Sequence, residues 1–269
     1  MRPSKPGERS SPGSEGGAAT PPPAASDPEG GGRRRQRVCA IVPAYNEEAT
    51  VTEAIRPVLA CPLVDRVLVI SDGSHDRTVE AASAAGAEVL ELPRNGGKGA
   101  ALLAGAKMTE CDILLFSDAD LTGLDRDLYR SLVAPVLDGE RSMMVAVRDR
   151  GPLLNAIQRR WGPLLSGVRC LERRLLLATP SWALEGYRVE TGLNQTARRQ
   201  GATVGLIVMP RSVSHRVKEH KIGVGGGLRA RAVMFAQVFT AYLRLRRIGP
   251  PDPHTDPSRL SSRRPEGVS

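Results

Sequence analysis

Val38-Cys39-Ala40-Ile41-Val42-Pro43-Ala44-Tyr45-Asn46-Glu47-Glu48 is the stretch from which the fold is read. An unbroken apolar run closed by a proline reads as a short strand buried inside a sheet. Two acids then open a helix expected over residues 47–60. The same rhythm repeats downstream. Strands are expected at 66–70, 87–90 and 113–116, and helices at 76–85 and 98–108. Strands alternating with helices imply an α/β domain, a mostly parallel sheet with helices on both faces. Such sheets bind ligands beyond the carboxyl ends of their strands, and each unusual polar cluster of this chain falls at such an end.

The first cluster is Pro43 to Glu48 itself. Its acids suit a helix N-terminus, whose dipole favours negative charge. The second is Ser71-Asp72-Gly73-Ser74-His75-Asp76-Arg77-Thr78. Gly73 permits a tight turn, Asp76 can cap the next helix, and Asp72 is left to accept from a base or a ribose. The third, Asn95-Gly96-Gly97-Lys98-Gly99, offers backbone N–H groups and one cation to an anion; a plain turn is the alternative. The P-loop spacing is absent, which disfavours a nucleoside triphosphatase. The fourth, Ser117-Asp118-Ala119-Asp120, sets two carboxylates at one strand end, costly unless a cation neutralises them. Oxygen ligands select a hard ion, Mg²⁺ or Mn²⁺. An acidic surface turn is the alternative there.

The remaining chain is less regular. Residues 162–169 read as a loop, 187–200 as a helix and 202–209 as a strand. A domain at 37–224 is therefore expected between a Pro-, Gly- and Ser-rich disordered tail at 1–36 and another at 249–269. A long helix at 225–248 carries Val233, Met234, Phe235, Val238 and Phe239 beside Arg229, Arg231, Arg244, Arg246 and Arg247. Such a basic amphipathic helix can lie on an anionic membrane, pack on the domain or make a homodimer.

Composition narrows the classes. Aromatic residues are 3% of the 269, which argues against base stacking on single-stranded nucleic acid. The net charge of +9 is read mainly as a solvated basic surface. The four cysteines, Cys39, Cys61, Cys111 and Cys170, lack metal-knuckle spacing and read as buried reduced thiols. No secretory signal and no bilayer-spanning run is read, so a cytoplasmic protein, peripheral at most at the inner membrane face, is expected.

Taken in order, the four clusters resemble the nucleotide-binding half of family 2-type glycosyltransferases, which have the GT-A fold, a Rossmann-like sheet. Gly162 to Gly167, Gly186-Tyr187-Arg188-Val189-Glu190 and His215-Arg216 look like later motifs of glucosyl-3-phosphoglycerate synthases and their relatives. The likeness covers residues 38–217. It implies nucleotide-sugar contacts at Pro43, Tyr45, Glu47, Asp72, Gly73, Lys98, Asp118 and Ala119. It implies metal ligation by Asp120 and His215, and catalytic roles for Glu190 and Asp120. Acceptor contacts are implied at Ser166, Gly167 and Tyr187; the guanidinium of Arg188 is read as an added contact to a charged acceptor, and Arg150 with Arg148 as forks for an acceptor phosphate. The chain departs from the family at Ser71, often a second Asp there, and at Arg188, where the family has Gly.

The implied reaction moves a hexose, glucose by the resemblance, from a UDP- or GDP-sugar to an acceptor hydroxyl. The acceptor is a small phosphorylated molecule such as 3-phosphoglycerate, or alternatively a polyprenyl phosphate or other lipid. A non-catalytic binding protein using the basic tails would leave the strand-end carboxylates without purpose. A nucleotidyltransferase would need a glycine-rich loop directly after the first strand, which is missing.

Overall fold

The computed structural model describes residues 35–149, 151, 166–210, 212–215, 240 and 243–244. Arg150, the side chains of Tyr187 and His215, and almost all of the expected tails and of the 225–248 helix lie outside them.

Seven strands make the main sheet: β1 (Val38–Ala44), β2 (Arg66–Ser71), β3 (Glu88–Glu91), β4 (Ile113–Phe116), β6 (Met143–Arg148), β7 (Arg169–Glu172) and β8 (Val204–Met209). Their order is β3-β2-β1-β4-β7-β6-β8. β7 alone runs antiparallel to both neighbours; the other pairings are parallel. A short ribbon of β5 (Leu121–Thr122) and β9 (Ser214–His215) stands apart, with Leu121 opposite His215.

The buried strands show why a continuous apolar run was the right signal. On β1, Val38, Ala40 and Val42 face the layer of α1 (Val51–Leu59), α2 (Thr78–Ala84) and α4 (Arg126–Leu137). Cys39 and Ile41 face α3 (Lys98–Met108), α5 (Arg173–Leu177) and α6 (Val189–Arg199). Successive side chains point to opposite faces of a strand, so both faces of β1 need apolar residues. α3 lies unusually close to the sheet. A Cβ at Gly105 would sit 2.6 Å from Cγ2 of Ile41, and one at Gly99 would run into the Leu184 carbonyl.

Three expectations are corrected. The reduced-thiol reading fails for Cys39 and Cys111, which form a disulfide with a Cα–Cα distance of 5.8 Å. The parallel pairing of β1 with β4 brings them together on the α3 face, across 72 residues of sequence. Cys61 and Cys170 are free and buried. The loop expected over 162–169 gives way at its end to β7, which starts at Arg169. The helix expected from residue 47 starts at Val51, after a turn over 48–50.

α4 begins where the Asp125 carboxylate accepts the Leu128 N–H at 2.8 Å, an N-cap. One turn on, the buried Tyr129 hydroxyl meets the Ser117 hydroxyl at 2.7 Å, directly before Asp118. Burial, opposed in part by that hydrogen bond, pushes the Tyr129 pKa up. Tyr129→Phe should strand the Ser117 hydroxyl in the core. Urea unfolding should show a loss of about 1–3 kcal/mol, the cost of one buried unpaired polar group.

Candidate active site

The loops after β1 and β2 are laced to each other. Glu47 donates its N–H to Thr78 Oγ1 at 2.8 Å, and Glu48 donates its N–H to Asp76 at 3.1 Å. His75 donates its N–H to Asn46 Oδ1 at 2.8 Å. Asn46 supports this with a left-handed backbone, φ 53°, which asparagine tolerates better than most residues. Asp76 therefore holds two loops together besides accepting the Thr78 N–H at 3.1 Å. Pro43 and Glu47 are half-buried in this lacing, and Tyr45 stands exposed at its rim.

Asp72 is 4% exposed. One carboxylate oxygen accepts the Gly96 N–H and the other the Gly97 N–H, each at 2.8 Å. Gly73 allows the approach: its φ is +68°, and a Cβ there would lie 2.7 Å from the Arg94 carbonyl carbon. Asp72 thus shapes the glycine turn that delivers Lys98 to the first position of α3. Next to it, the Ser71 hydroxyl is buried without a hydrogen-bond partner.

Lys98 Nζ lies 2.5 Å from Asp118 Oδ1 and 3.3 Å from Glu190 Oε1. Asp118 follows β4, and Glu190 is in the first turn of α6. Burial works against the ammonium, but the two carboxylates outweigh it, and the Lys98 pKa is pushed up to about 12. Its stabilising contribution is complete below the ordinary 10.5 and is lost as pH rises through about 12. Burial also works against the Glu190 carboxylate. Lys98 and Arg169 outweigh that too, so its pKa lies below the ordinary value. Its contribution is present above the ordinary carboxylate range and is lost as pH falls through the folded value.

Gly167 passes directly over this pair; a Cβ there would collide with Asp118 and Lys98 Nζ. Ser166 donates its hydroxyl to the Ala146 carbonyl. Ala119 is buried between the two acids, and Asp120 is half-buried. The β5–β9 ladder sets His215 opposite Leu121, the residue after Asp120. Arg188 is held locally, its Nη1 3.0 Å from the Trp182 carbonyl and 3.6 Å from Glu185.

Two arginines add to the set. Arg148 ends β6, at the same sheet edge as the ends of β1, β2 and β4, and its Nη2 is buried without a hydrogen-bond partner. Arg169 is the largest fully buried side chain among the described residues. The loop reading concealed it, because an arginine gives no apolar signal for a strand.

A family model, glycosyl transferase family 2, matches residues 39–179. The chain belongs to glycosyl transferase family 2. The matched segment holds the β1 and β2 loops, the glycine turn, the acid pair and both arginines. The glucosyl-3-phosphoglycerate synthase of Mycobacterium tuberculosis is 33% identical over 193 residues, or 58% of this chain. The chain spans 59% of the length of that relative. An undecaprenyl-phosphate 4-deoxy-4-formamido-L-arabinose transferase of Pseudomonas paraeruginosa is 33% identical over 157 residues, 51% of this chain and 46% of that one. A crystal structure of the M. tuberculosis synthase with Mn²⁺, UDP-glucose and phosphoglyceric acid matches with a TM-score of 0.64 at 29% identity, covering 81% of each chain. The sheet of this glycosyl transferase family 2 member is the GT-A fold.

Asp72→Asn turns one carboxylate oxygen, which accepts a backbone N–H, into an NH2 donor facing that N–H. Amide exchange at Gly96 and Gly97 should accelerate, and urea unfolding should show about 1–3 kcal/mol lost. Unchanged exchange at both glycines would remove the clamp assigned to Asp72.

Proposed function

We propose that the chain transfers a hexosyl group, glucose first among the candidates, from a nucleoside diphosphate to a hydroxyl of a phosphate-bearing acceptor in the cytoplasm. The observation that carries this reading is the Lys98 ammonium held between Asp118 and Glu190 at the carboxyl edge of the sheet. A lysine at a glycine turn and helix start suits a diphosphate. The M. tuberculosis structure with Mn²⁺, UDP-glucose and phosphoglyceric acid supports the choice of ligands.

The residues present fit a hard divalent cation. Asp120 would supply a carboxylate, and β-pairing sets His215 opposite the residue after it; the described residues bring no group of three or more such ligands together, so diphosphate oxygens would make up the rest. Bound there, Mg²⁺ or Mn²⁺ neutralises charge on the departing diphosphate. The nucleoside lies against Pro43, Tyr45 and Glu47, over the turn at Asp72 and Gly73. Lys98 turns its ammonium to the diphosphate, where preorganised charge lowers the barrier. Asp118, released from Lys98, would accept from the ribose or lie beside the cation site. Glu190, an anion, orients the hydroxyls of sugar and acceptor. Arg148 offers its unspent Nη2 to the acceptor phosphate. The bond from the anomeric carbon to the diphosphate breaks, one to the acceptor oxygen forms, and the acceptor proton passes to a basic oxygen of the site.

A second reading keeps the donor site and takes a polyprenyl phosphate as acceptor. The Pseudomonas arabinose transferase supports it. Among the described residues no helix is long and apolar enough to cross a membrane. Arg244, from the expected basic helix, stacks on Trp182 at 4.5 Å, a contact worth about 0.5–1 kcal/mol where exposed.

Thermal unfolding with UDP, GDP and ADP, with and without Mn²⁺, tests the donor site. At about a hundred times its Kd the correct nucleotide adds ~2.7 kcal/mol, a rise in Tm of about 5–11 °C. The rise should need the metal and vanish in Asp120→Ala. No rise with any nucleotide on folded protein would sink the reading. Label transfer from the matching nucleotide-glucose to 3-phosphoglycerate, or instead to detergent-solubilised polyprenyl phosphate, then separates the two acceptors.

A further inference from the structure

Arg169 presents a physical problem that the proposed reaction leaves open. Its side chain is 1% exposed, and a guanidinium cannot shed its charge in a protein. Yet its hydrogen-bonded acceptors are neutral. Nε and Nη2 donate to the Ser166 carbonyl, and Nη1 donates to Asn194 Oδ1 at 3.1 Å. A buried cation satisfied only by neutral groups is costly unless an anion stands near.

The fold supplies that anion. Asn194 follows Glu190 by four residues on α6, so the two share one helix face. By binding Asn194, Arg169 is fixed beside the face that carries Glu190. Through Ser166 it also fixes the backbone at Gly167, which passes over Lys98 and Asp118. The charged groups around Glu190 are Lys98 from α3, Asp118 after β4 and Arg169 from β7. On its own side of the chain, Arg188 and Glu185 pair with each other.

We infer that Arg169 is a positioning residue for Glu190, an immobile counter-charge that keeps the carboxylate an anion and in place once Lys98 has turned to an incoming anionic ligand. The charge count supports this. Lys98 and Arg169 balance Asp118 and Glu190 in the resting site. When Lys98 goes to a diphosphate and Asp118 to the cation's side, Glu190 would be a lone buried anion without Arg169. Lys98 is the counter-charge that moves, and Arg169 is the one that stays.

The inference rests on the glycosyl-transfer reading for the identity of the ligand, but its test needs none. The full chain is labelled with ¹³C at glutamate Cδ, and Glu190 is assigned by the resonance lost in Glu190→Gln. Its titration is followed by NMR in Lys98→Gln, which imitates the departure of lysine. Adding Arg169→Gln should raise the Glu190 midpoint by at least about one pH unit, the usual effect of removing a nearby opposite charge. Adding Arg169→Lys instead should leave the midpoint within a few tenths of that in Lys98→Gln. Arg169→Met replaces the glutamine variant should that fail to fold. A midpoint that stays put on removal of the Arg169 charge would overturn the inference. So would a rise of equal size with lysine at 169, which would make the role steric. UDP binding is scored separately in the same samples without substitution, so a failed donor site and a failed counter-charge give different results.

Discussion

Withdrawing a lysine ammonium from water at the edge of a sheet demands carboxylates, and Lys98 has two from distant parts of the chain. Much of the surrounding architecture can be derived from that requirement. β4 must end where Asp118 can reach Nζ, and α6 must start where Glu190 can. α3 must begin at Lys98, so the turn before it has to be rigid; Asp72 clamps Gly96 and Gly97 to make it so. The Leu184 carbonyl must pass the first turn of α3, which requires glycine at 99. The backbone just before β7 must cross the ion pair, which requires glycine at 167. These glycines are consequences of one charged contact, and their shared property is the absence of a Cβ.

How much of this was legible depends on how far apart the partners lie. The first half of the sheet could be read because β1, β2 and β4 are apolar on both faces, and the limits of α3 and β4 match the expected ones. Lys98, Asp118 and Glu190 could be nominated from local motifs, but not their contact. The clamp by Asp72 was illegible, because its partners are 24 and 25 residues on and are backbone groups. The same holds for Cys39 and Cys111, neighbours only after β1 and β4 pair. β7 failed for another reason: it is short, its first residue is charged, and period-based reading has no pattern for a buried arginine.

Net charge likewise proved a poor guide to where charge acts. A surplus of +9 was read as a solvated surface, and many of the arginines do lie exposed. Arg148 and Arg169 do not share that setting. Both belong to strands of the central sheet, one with a donor nitrogen sealed from water and the other wholly enclosed. In a region of low effective dielectric such charges act strongly over several ångströms, whereas exposed ones are screened within about 10 Å at moderate salt.

A site that exchanges partners has to be electrostatically sound both before and after the exchange. Before, Asp118 and Glu190 satisfy Lys98. After, a diphosphate at Lys98 would free the carboxylates, which would then need new partners or repel the incoming phosphates. Asp118 would find one in a cation bound beside it. Glu190, on α6, would need a cation of its own that no ligand can draw away. Asn194 and the Ser166 carbonyl bind Arg169 from two elements, so its guanidinium cannot swing toward the phosphates as a lysine on a free stem would. A rigid arginine there would leave Lys98 free to move.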